Sequence, residues 1–178
     1  MADTPISRQR PLAEDDIDVA LEEVGRASKV DRIFVFQHDY DPEADQNYML
    51  QRYEWAAEGV ESHKGDPRLA RIPVGEDQYR MRDLLLTGAP LQTHLADMPL
   101  SERAIFEGFG AKSVLIIPVF SLGEFWGFIG FDTVHETRVW TDSEVSLLRL
   151  LADRIARALE SHELLRDLRR SEIGRAHV

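Results

Sequence analysis

The sequence predicts an α+β protein in which a central antiparallel sheet of five to six strands carries helices on both faces. Two pairs of β-rich runs predict the sheet, residues 31–38 with 48–57 and residues 114–120 with 125–131. Amphipathic helical spacing precedes the first pair and follows the second. Because each pair is joined locally and helices stand at both ends, the pattern favours an antiparallel sheet that is covered on each side.

The first regular element is a predicted amphipathic helix over residues 14–28, with acidic residues in the first turn, where the helix dipole favours anions. Its apolar stripe consists of Ile17, Ala20, Leu21, Val24 and Ala27. Residues 31–38 follow and are rich in β-branched and aromatic side chains. This composition predicts a buried strand.

The second strand of this hairpin is predicted over residues 48–57, because aromatic and charged side chains alternate along it. The aromatic ones are Tyr53 and Trp55, and the charged ones are Arg52 and Glu54. The acidic link 39–45 begins like a calcium-binding loop, but Ala44 stands where glycine is needed and Leu50 where a bidentate carboxylate is needed. A solvated hairpin tip is therefore the favoured interpretation.

The middle of the chain opens with a polar stretch, residues 58–77, that glycine and proline interrupt repeatedly. An irregular loop of this length is typical of a lid or a ligand-binding loop. A helix is predicted over residues 79–85 and stops at Gly88. A short strand over 91–95 and a brief helix capped by Ser101 complete this region.

The strongest β signal is the second hairpin, whose two apolar runs flank a tight turn at Leu122 and Gly123. Gly127 and Gly130 lie inside its second strand. Glycine within a strand allows either a ligand or a packed neighbour to approach the backbone closely. Packing is the favoured interpretation of the two.

A long final helix is predicted to start at a capping box formed by Thr141 and Glu144. Its apolar stripe consists of Leu148, Leu151, Ile155 and Leu159, and continues with Leu164, Leu165 and Leu168. The continuation exceeds what one domain needs, which predicts a signalling-helix extension over residues 161–172. The segment 173–178 departs from the helical pattern and resembles one reading frame of a sequencing adapter, so we expect it to be a non-native tail.

The composition excludes several classes of function. The 178 residues predict one domain over 14–160, with a lead-in over 1–13 that lacks the apolar core of a signal peptide. The formal charge of −11 disfavours nucleic acid as a partner. The sequence has no run of about 18 apolar residues, the length needed to span a bilayer. We therefore expect a cytoplasmic domain without a membrane partner. The absence of cysteine excludes disulfides and thiolate metal sites.

The sequence contains no recognisable catalytic or metal-binding motif. Its six histidines show no pair at metal-ligand spacing, and no serine lies in a nucleophile elbow. Haem ligation by His63 or His94 stays open as an alternative. Carboxylates are so numerous in this acidic chain that they do not by themselves indicate acid–base catalysis. We therefore expect no catalytic residue and no metal site.

Several stretches resemble the GAF domains of bacterial signalling proteins, which occur beside histidine-kinase, PAS or diguanylate-cyclase modules. The stretches are VDRIFVF (30–36), QRYEW (51–55), LTGAPL (86–91), AKSVLIIPVF (111–120), FWGFIGFD (125–132) and RVWT (138–141). The central hairpin with its tryptophan is the most specific of them. The resemblance extends over residues 15–160.

The resemblance implies a GAF-like layer arrangement, similar to that of profilin and PAS domains, with a cavity between one sheet face and the helices and long loop. The first and last helices would cover the other face and often pair two protomers into a homodimer. The candidate ligand-binding residues are Phe36, Trp55, Tyr79 and Phe128, for which plain core packing is the alternative. Since GAF-type sulfoxide reductases and bilin-carrying GAF domains depend on cysteines, the resemblance implies no cofactor attached through sulfur.

Two functions compete at this point. The first is a non-catalytic sensory domain that binds a small molecule behind residues 58–77 and transmits the signal through its terminal helices. The second is a ligand-free dimerisation or protein-interaction module of a multidomain signalling protein. In both, we expect the natural chain to continue into a kinase, PAS or cyclase module.

Overall fold

Six strands in one antiparallel sheet and five α-helices form the part of the chain that the computed structural model describes, residues 14–176. The helices are α1 (Glu14–Ser28), α2 (Pro67–Ala70), α3 (Tyr79–Leu86), α4 (Leu100–Glu107) and α5 (Asp142–Ala176). The strands are β1 (Arg32–Asp41), β2 (Gln46–Ala56), β3 (Ile72–Pro73), β4 (Leu91–His94), β5 (Ser113–Ser121) and β6 (Glu124–Thr133). Their order across the sheet is β3-β2-β1-β6-β5-β4, which confirms the predicted fold class.

The two faces of the sheet bury separate apolar cores, because side chains alternate between faces along each strand. Ile33, Val35 and Tyr53 pack with α1 and α5 on the first face. Phe34 and Phe36 pack on the second face with α2, α3 and α4. The terminal helices and the middle helices therefore lie on opposite sides, as the resemblance implies.

Strand β1 extends into the acidic link and ends at Asp41, and β2 begins at Gln46, directly after the link. A nearby cation offsets part of the acidic repulsion, since Arg71 Nη2 lies 3.5 Å from Asp39 Oδ2 and 3.9 Å from Asp41 Oδ2. Residues 42–45 form the remaining turn. The tip is thus shorter than the sequence predicts.

The stretch 58–77 is not one irregular loop, and that expectation is wrong. It contains α2, β3 and a single 3-10 turn. Asp66 caps α2 by accepting a hydrogen bond from the backbone N–H of Arg68 at 2.9 Å, and Pro67 occupies the first turn. An N-cap aspartate followed by proline is a local helix signal. It was present in the sequence.

The expected cap at Ser101 is also wrong. Helix α4 begins two residues earlier than this cap predicts, at Leu100, with Pro99 as its N-cap. The carbonyl oxygen of Pro99 accepts hydrogen bonds from the backbone N–H groups of Glu102 and Arg103, at 3.1 and 2.9 Å. Because the backbone of Pro99 is extended, the helix starts there without a side-chain cap.

The second hairpin has the predicted tight turn, in which Leu122 and Gly123 both have positive φ, 52° and 84°. A Cβ atom on Gly130 would lie 1.9 Å from Cε2 of Phe34. A Cβ atom on Gly127 would lie 2.0 Å from the carbonyl oxygen of Phe36. Both glycines are therefore explained by close contact with β1.

The capping box of α5 is confirmed. The backbone N–H of Thr141 donates to Glu144 Oε2 at 2.8 Å, and the backbone N–H of Glu144 donates to Thr141 Oγ1 at 3.3 Å. The helix then runs for 35 residues to Ala176, without the departure from helical structure expected at residue 173. The predicted limits at residues 160 and 172 stay predictions, and the lead-in 1–13 lies outside the described residues. Within residues 14–176, no helix is both long and apolar enough to cross a bilayer.

Candidate ligand cavity

A cavity of about 100 Å³ lies between the sheet and helices α2, α3 and α4. Its sheet side is formed by β1, β2 and β6, and its helical side includes Leu69, Met81, Leu85 and Phe106. An engineered cavity of about 150 Å³ with an apolar lining takes up benzene. The cavity is therefore of the right order for a compact ligand the size of one aromatic ring.

Three phenylalanine rings on the sheet side of the cavity contact one another. Phe36 and Phe128 are stacked, with ring centroids 5.3 Å apart and an interplanar angle of 23°. Phe34 meets both of them edge-on, at 6.1 and 6.4 Å. Two of the four residues predicted as ligand contacts, Phe36 and Phe128, thus line the cavity.

The other two predicted residues do not line the cavity, and their expected positions are wrong. Trp55 packs on the opposite face of the sheet, where a Cβ atom on Gly25 would lie 2.2 Å from the indole Cζ3. Tyr79 is 38% exposed, and its ring lies under the guanidinium of Arg82. Trp55 thus lies on the sheet face that α1 covers, and Tyr79 lies on the outer side of α3.

A buried ion pair closes one end of the cavity, where Arg32 of β1 faces Asp132 of β6. Both side chains are almost fully buried, and Arg32 Nη2 donates to Asp132 Oδ2 at 2.6 Å. The guanidinium also donates to the backbone carbonyl oxygens of Phe109, at 2.7 Å, and Glu61, at 3.4 Å. Burial raises the pKa of the Asp132 carboxyl to about 6, although the hydrogen bonds from Arg32 act in the opposite direction.

Glu54 and His63 lie at the same end. Glu54 accepts hydrogen bonds from Gln51 Nε2 at 3.0 Å, from Ser62 Oγ at 2.8 Å and from the backbone N–H of His63 at 2.7 Å. The imidazole of His63 packs against the ring of Phe109, with centroids 4.7 Å apart. We call Arg32, Glu54, His63 and Asp132 the polar end of the cavity.

The sequence reasoning missed the polar end, because its members come from β1, β2, the segment before α2, and β6. No local spacing links them. The available signal was a charged residue at the border of an apolar strand, as at Arg32 before Ile33 and at Asp132 after Phe131. Such a charge is expected to be paired when the strand is buried.

The opposite face of the same strands contacts α5. Gln37 lies between Phe36 and His38, which both line the cavity, and its side chain points to the other side. Gln37 Nε2 donates to Glu163 Oε1 at 3.1 Å, and Trp126 Nε1 donates to Glu163 Oε2 at 3.4 Å. Strands β1 and β6 therefore contact both the cavity and the last helix.

Residues 14–176 contain no group of three or more histidines and carboxylates arranged to hold a metal ion. His94 contacts Ser113 through Nδ1 at 3.0 Å and does not line the cavity, whereas His63 does.

A family model described as "GAF domain" matches residues 13–159, which is most of the chain. The chain belongs to the GAF domain family. The match spans α1, the whole sheet and most of the sheet-covering part of α5.

This GAF domain is 36% identical over 157 residues to the methanogenesis regulatory histidine kinase FilI of Methanothrix harundinacea (strain 6Ac). The aligned part covers 88% of the chain but 17% of that kinase, so the chain spans about a sixth of the relative's length. The relative is thus a larger regulatory protein that contains a similar domain.

Solved structures with the same fold include a far-red-absorbing dark state with bound biliverdin IXa, at a TM-score of 0.70 and 16% identity over 88% of this chain and 94% of that one. The blue-light-absorbing form of the Thermosynechococcus elongatus PixJ GAF domain gives a TM-score of 0.65 at 17% identity, over 87% of this chain and 89% of that one. These similarities confirm the fold of the GAF domain.

Proposed function

We propose that this GAF domain is a non-catalytic sensor that binds a compact small molecule in the cavity and transmits its occupancy through α5 to a linked signalling module. The cavity carries this proposal, because it combines an apolar lining with one polar end, as ligand sites usually do. Kinase linkage is supported by the similarity to a regulatory histidine kinase. Location in the cytoplasm belongs to the same proposal.

We propose that the ligand is not a bilin. Pockets for drug-sized ligands usually measure about 300–1,000 Å³, whereas this cavity measures about 100 Å³. The sequence also has no cysteine to form a thioether with a chromophore. We therefore propose a smaller, non-covalent ligand.

The contacts of Glu163 support α5 as the route of transmission. A ligand that displaces Phe36 or Phe128 moves strands whose opposite sides hold Gln37 and Trp126, and both of these side chains donate to Glu163. The relative populations of two arrangements of α5 would then depend on whether a ligand occupies the cavity.

Ligand binding is tested with single-ring and branched aliphatic fragments. A fragment at 100 times its Kd should raise the free energy of unfolding by about 2.7 kcal/mol, measured by urea denaturation, and should slow amide exchange in residues around Glu163. If no fragment stabilises the domain at saturating concentration, the ligand-sensing proposal is wrong.

Replacing Glu163 with alanine is expected to remove the change in α5 while leaving fragment affinity within about twofold, because Glu163 does not line the cavity. Hydrogen exchange of α5 with and without fragment measures the first effect, and calorimetry the second. Glu172→Ala is the matched control, since Glu172 is an exposed glutamate further along the same helix. Equal responses of α5 in wild type and Glu163→Ala would exclude this contact as the route.

A second candidate function, dimerisation through the first and last helices, is favoured by an exposed apolar strip on α5. Leu147, Leu150, Leu164 and Leu168 are each between 56% and 68% exposed. Positions 147, 150, 154, 157, 161, 164 and 168 follow the alternating three- and four-residue spacing of a coiled-coil seam. Leu147 and Leu150 occupy the first two of these seven positions, and Leu164 and Leu168 occupy the last two.

Replacing both Leu164 and Leu168 with glutamate is expected to weaken a homodimer at least tenfold, because like charges would face each other across the seam. Sedimentation equilibrium measures the dissociation constant. Arg169→Gln and Arg170→Gln together form the control, which changes the net charge by the same amount at exposed positions off the seam. A monomer at all concentrations in the wild type, or an unchanged dimer in the leucine variant, would contradict this interface.

A further inference from the structure

The polar end contains one buried hydrogen-bonding atom that the fold leaves unused. Among residues 14–176, the buried side-chain nitrogens without a hydrogen-bond partner are His63 Nε2, Arg103 Nε and Trp140 Nε1. Of these three residues, His63 alone lines the cavity. A buried polar group without a partner is unfavourable, so an unpaired one at the wall of a cavity indicates which kind of group the cavity binds.

The neighbours of His63 already have partners. The guanidinium of Arg32 is used by Asp132 and by two backbone carbonyl oxygens. The carboxylate of Glu54 accepts from Gln51, from Ser62 and from the backbone N–H of His63. His63 is 9% exposed, and bulk water therefore has little access to its ring. The imidazole is the group at this end that is left for a ligand.

We propose that His63 Nε2 is the polar anchor for the ligand and that the ligand is a compact, uncharged aromatic molecule bearing a hydroxyl group. This inference rests on the proposed ligand-binding function. A hydroxyl both donates and accepts, and can therefore pair with Nε2 whether that atom carries a hydrogen or a lone pair. On the sheet side of the cavity, the stacked rings of Phe36 and Phe128 can pack against an aromatic ring of the ligand.

The charges at the polar end disfavour an anionic head group there. Two carboxylates, Glu54 and Asp132, lie at the polar end with one guanidinium, that of Arg32. A carboxylate or phosphate on the ligand would add a third negative group to a buried site. A neutral hydroxyl avoids this repulsion and satisfies the unused imidazole nitrogen.

The test uses phenol and toluene, which have nearly the same shape and differ in one hydroxyl group. Replacing His63 with phenylalanine retains the aromatic contact with Phe109 and removes the ring nitrogen. We expect the ratio of the phenol affinity to the toluene affinity, measured by titration calorimetry, to fall about tenfold in this variant. Toluene binding itself should be unchanged or tighter.

His94→Phe is the matched control, because it also replaces an imidazole with a phenyl ring, but His94 does not line the cavity and contacts Ser113 Oγ through Nδ1 at 3.0 Å. The affinity ratio should stay within about twofold of wild type in this control. A ratio that is unchanged in His63→Phe, or that falls equally in both variants, would overturn the assignment of His63. If the folded wild type binds neither probe, the proposed ligand site itself is wrong.

A second measurement does not depend on the variant's folding. In the wild-type protein, phenol should shift the ¹⁵N resonance of His63 Nε2, whereas toluene should leave it nearly unchanged. Equal shifts with both probes, or no shift on saturation with phenol, would contradict a hydrogen bond at this atom.

Discussion

Replacing Arg32 with methionine is expected to lower the free energy of unfolding by about 3–5 kcal/mol at neutral pH. The guanidinium is almost fully buried and forms a salt bridge of 2.6 Å with Asp132. Without it, a buried carboxylate loses its counterion, and the carbonyl oxygens of Glu61 and Phe109 lose a donor. Urea denaturation at pH 7 measures the loss.

The effect should depend on pH. In the wild type, burial raises the pKa of Asp132 from 3.8 to about 6. A raised pKa means that the folded state binds the proton more tightly, so this contribution to stability is fully present below pH 3.8 and is lost as pH rises through about 6. Removing Arg32 raises this pKa further. The destabilisation by Arg32→Met should therefore be smaller at pH 5 than at pH 7.

The control for this variant is Arg26→Met, which removes an exposed pair with Glu22 on α1. It should lower stability by no more than about 0.5 kcal/mol, because exposed i,i+4 pairs contribute little. A loss below about 1 kcal/mol for Arg32→Met would show that the ion pair is not needed to hold this end of the cavity.

Replacing Trp140 with alanine is expected to lower the free energy of unfolding by about 3–5 kcal/mol. The side chain is 2% exposed and belongs to the core between the sheet and α5. Its backbone N–H donates to Gln92 Oε1 at 3.0 Å, and its carbonyl oxygen accepts from Gln92 Nε2 at 3.1 Å. The residue thus fixes the start of α5 to β4, and its removal leaves a large cavity there.

Trp140→Phe is the control and should cause a clearly smaller loss. The indole Nε1 is buried without a hydrogen-bond partner, so phenylalanine loses volume but no hydrogen bond. Both variants are measured by urea denaturation, with exchange of the first turn of α5 as a second readout. If the two substitutions are equally destabilising, aromatic volume is not what holds the helix.

The elements that could be predicted from sequence are those with local signals. The Leu122-Gly123 turn and the Thr141–Glu144 capping box depend on neighbouring residues alone, and both are present. The two hairpins follow from alternation along single strands. The start of α4 was misplaced because an extended Pro99, not a serine side chain, begins that helix.

The candidate site was predicted only in part, because alternation separates two faces without saying which of them holds the cavity. Phe36 and Phe128 line the cavity, whereas Trp55 lies on the other face of the sheet. Gly25 was the missed signal: a glycine inside a helix marks close approach, and the Trp55 indole fills that space. The polar end pairs Arg32 with Asp132, which are 100 positions apart in the sequence. No local sequence signal predicts such a pair, and only the folded structure shows it.

The short edge strand β3 makes one wall of the cavity more tolerant of substitution than the central strands. The end opposite the ion pair is lined by Met49, Ile72 and Val74, and β3 contributes only two residues to the sheet. Substitutions there alter the shape of the recess while disturbing little of the hydrogen-bonded ladder. If the cavity binds a ligand as proposed, we expect its preference for larger or branched guests to change at this end while the guest's polar group is still recognised at the other.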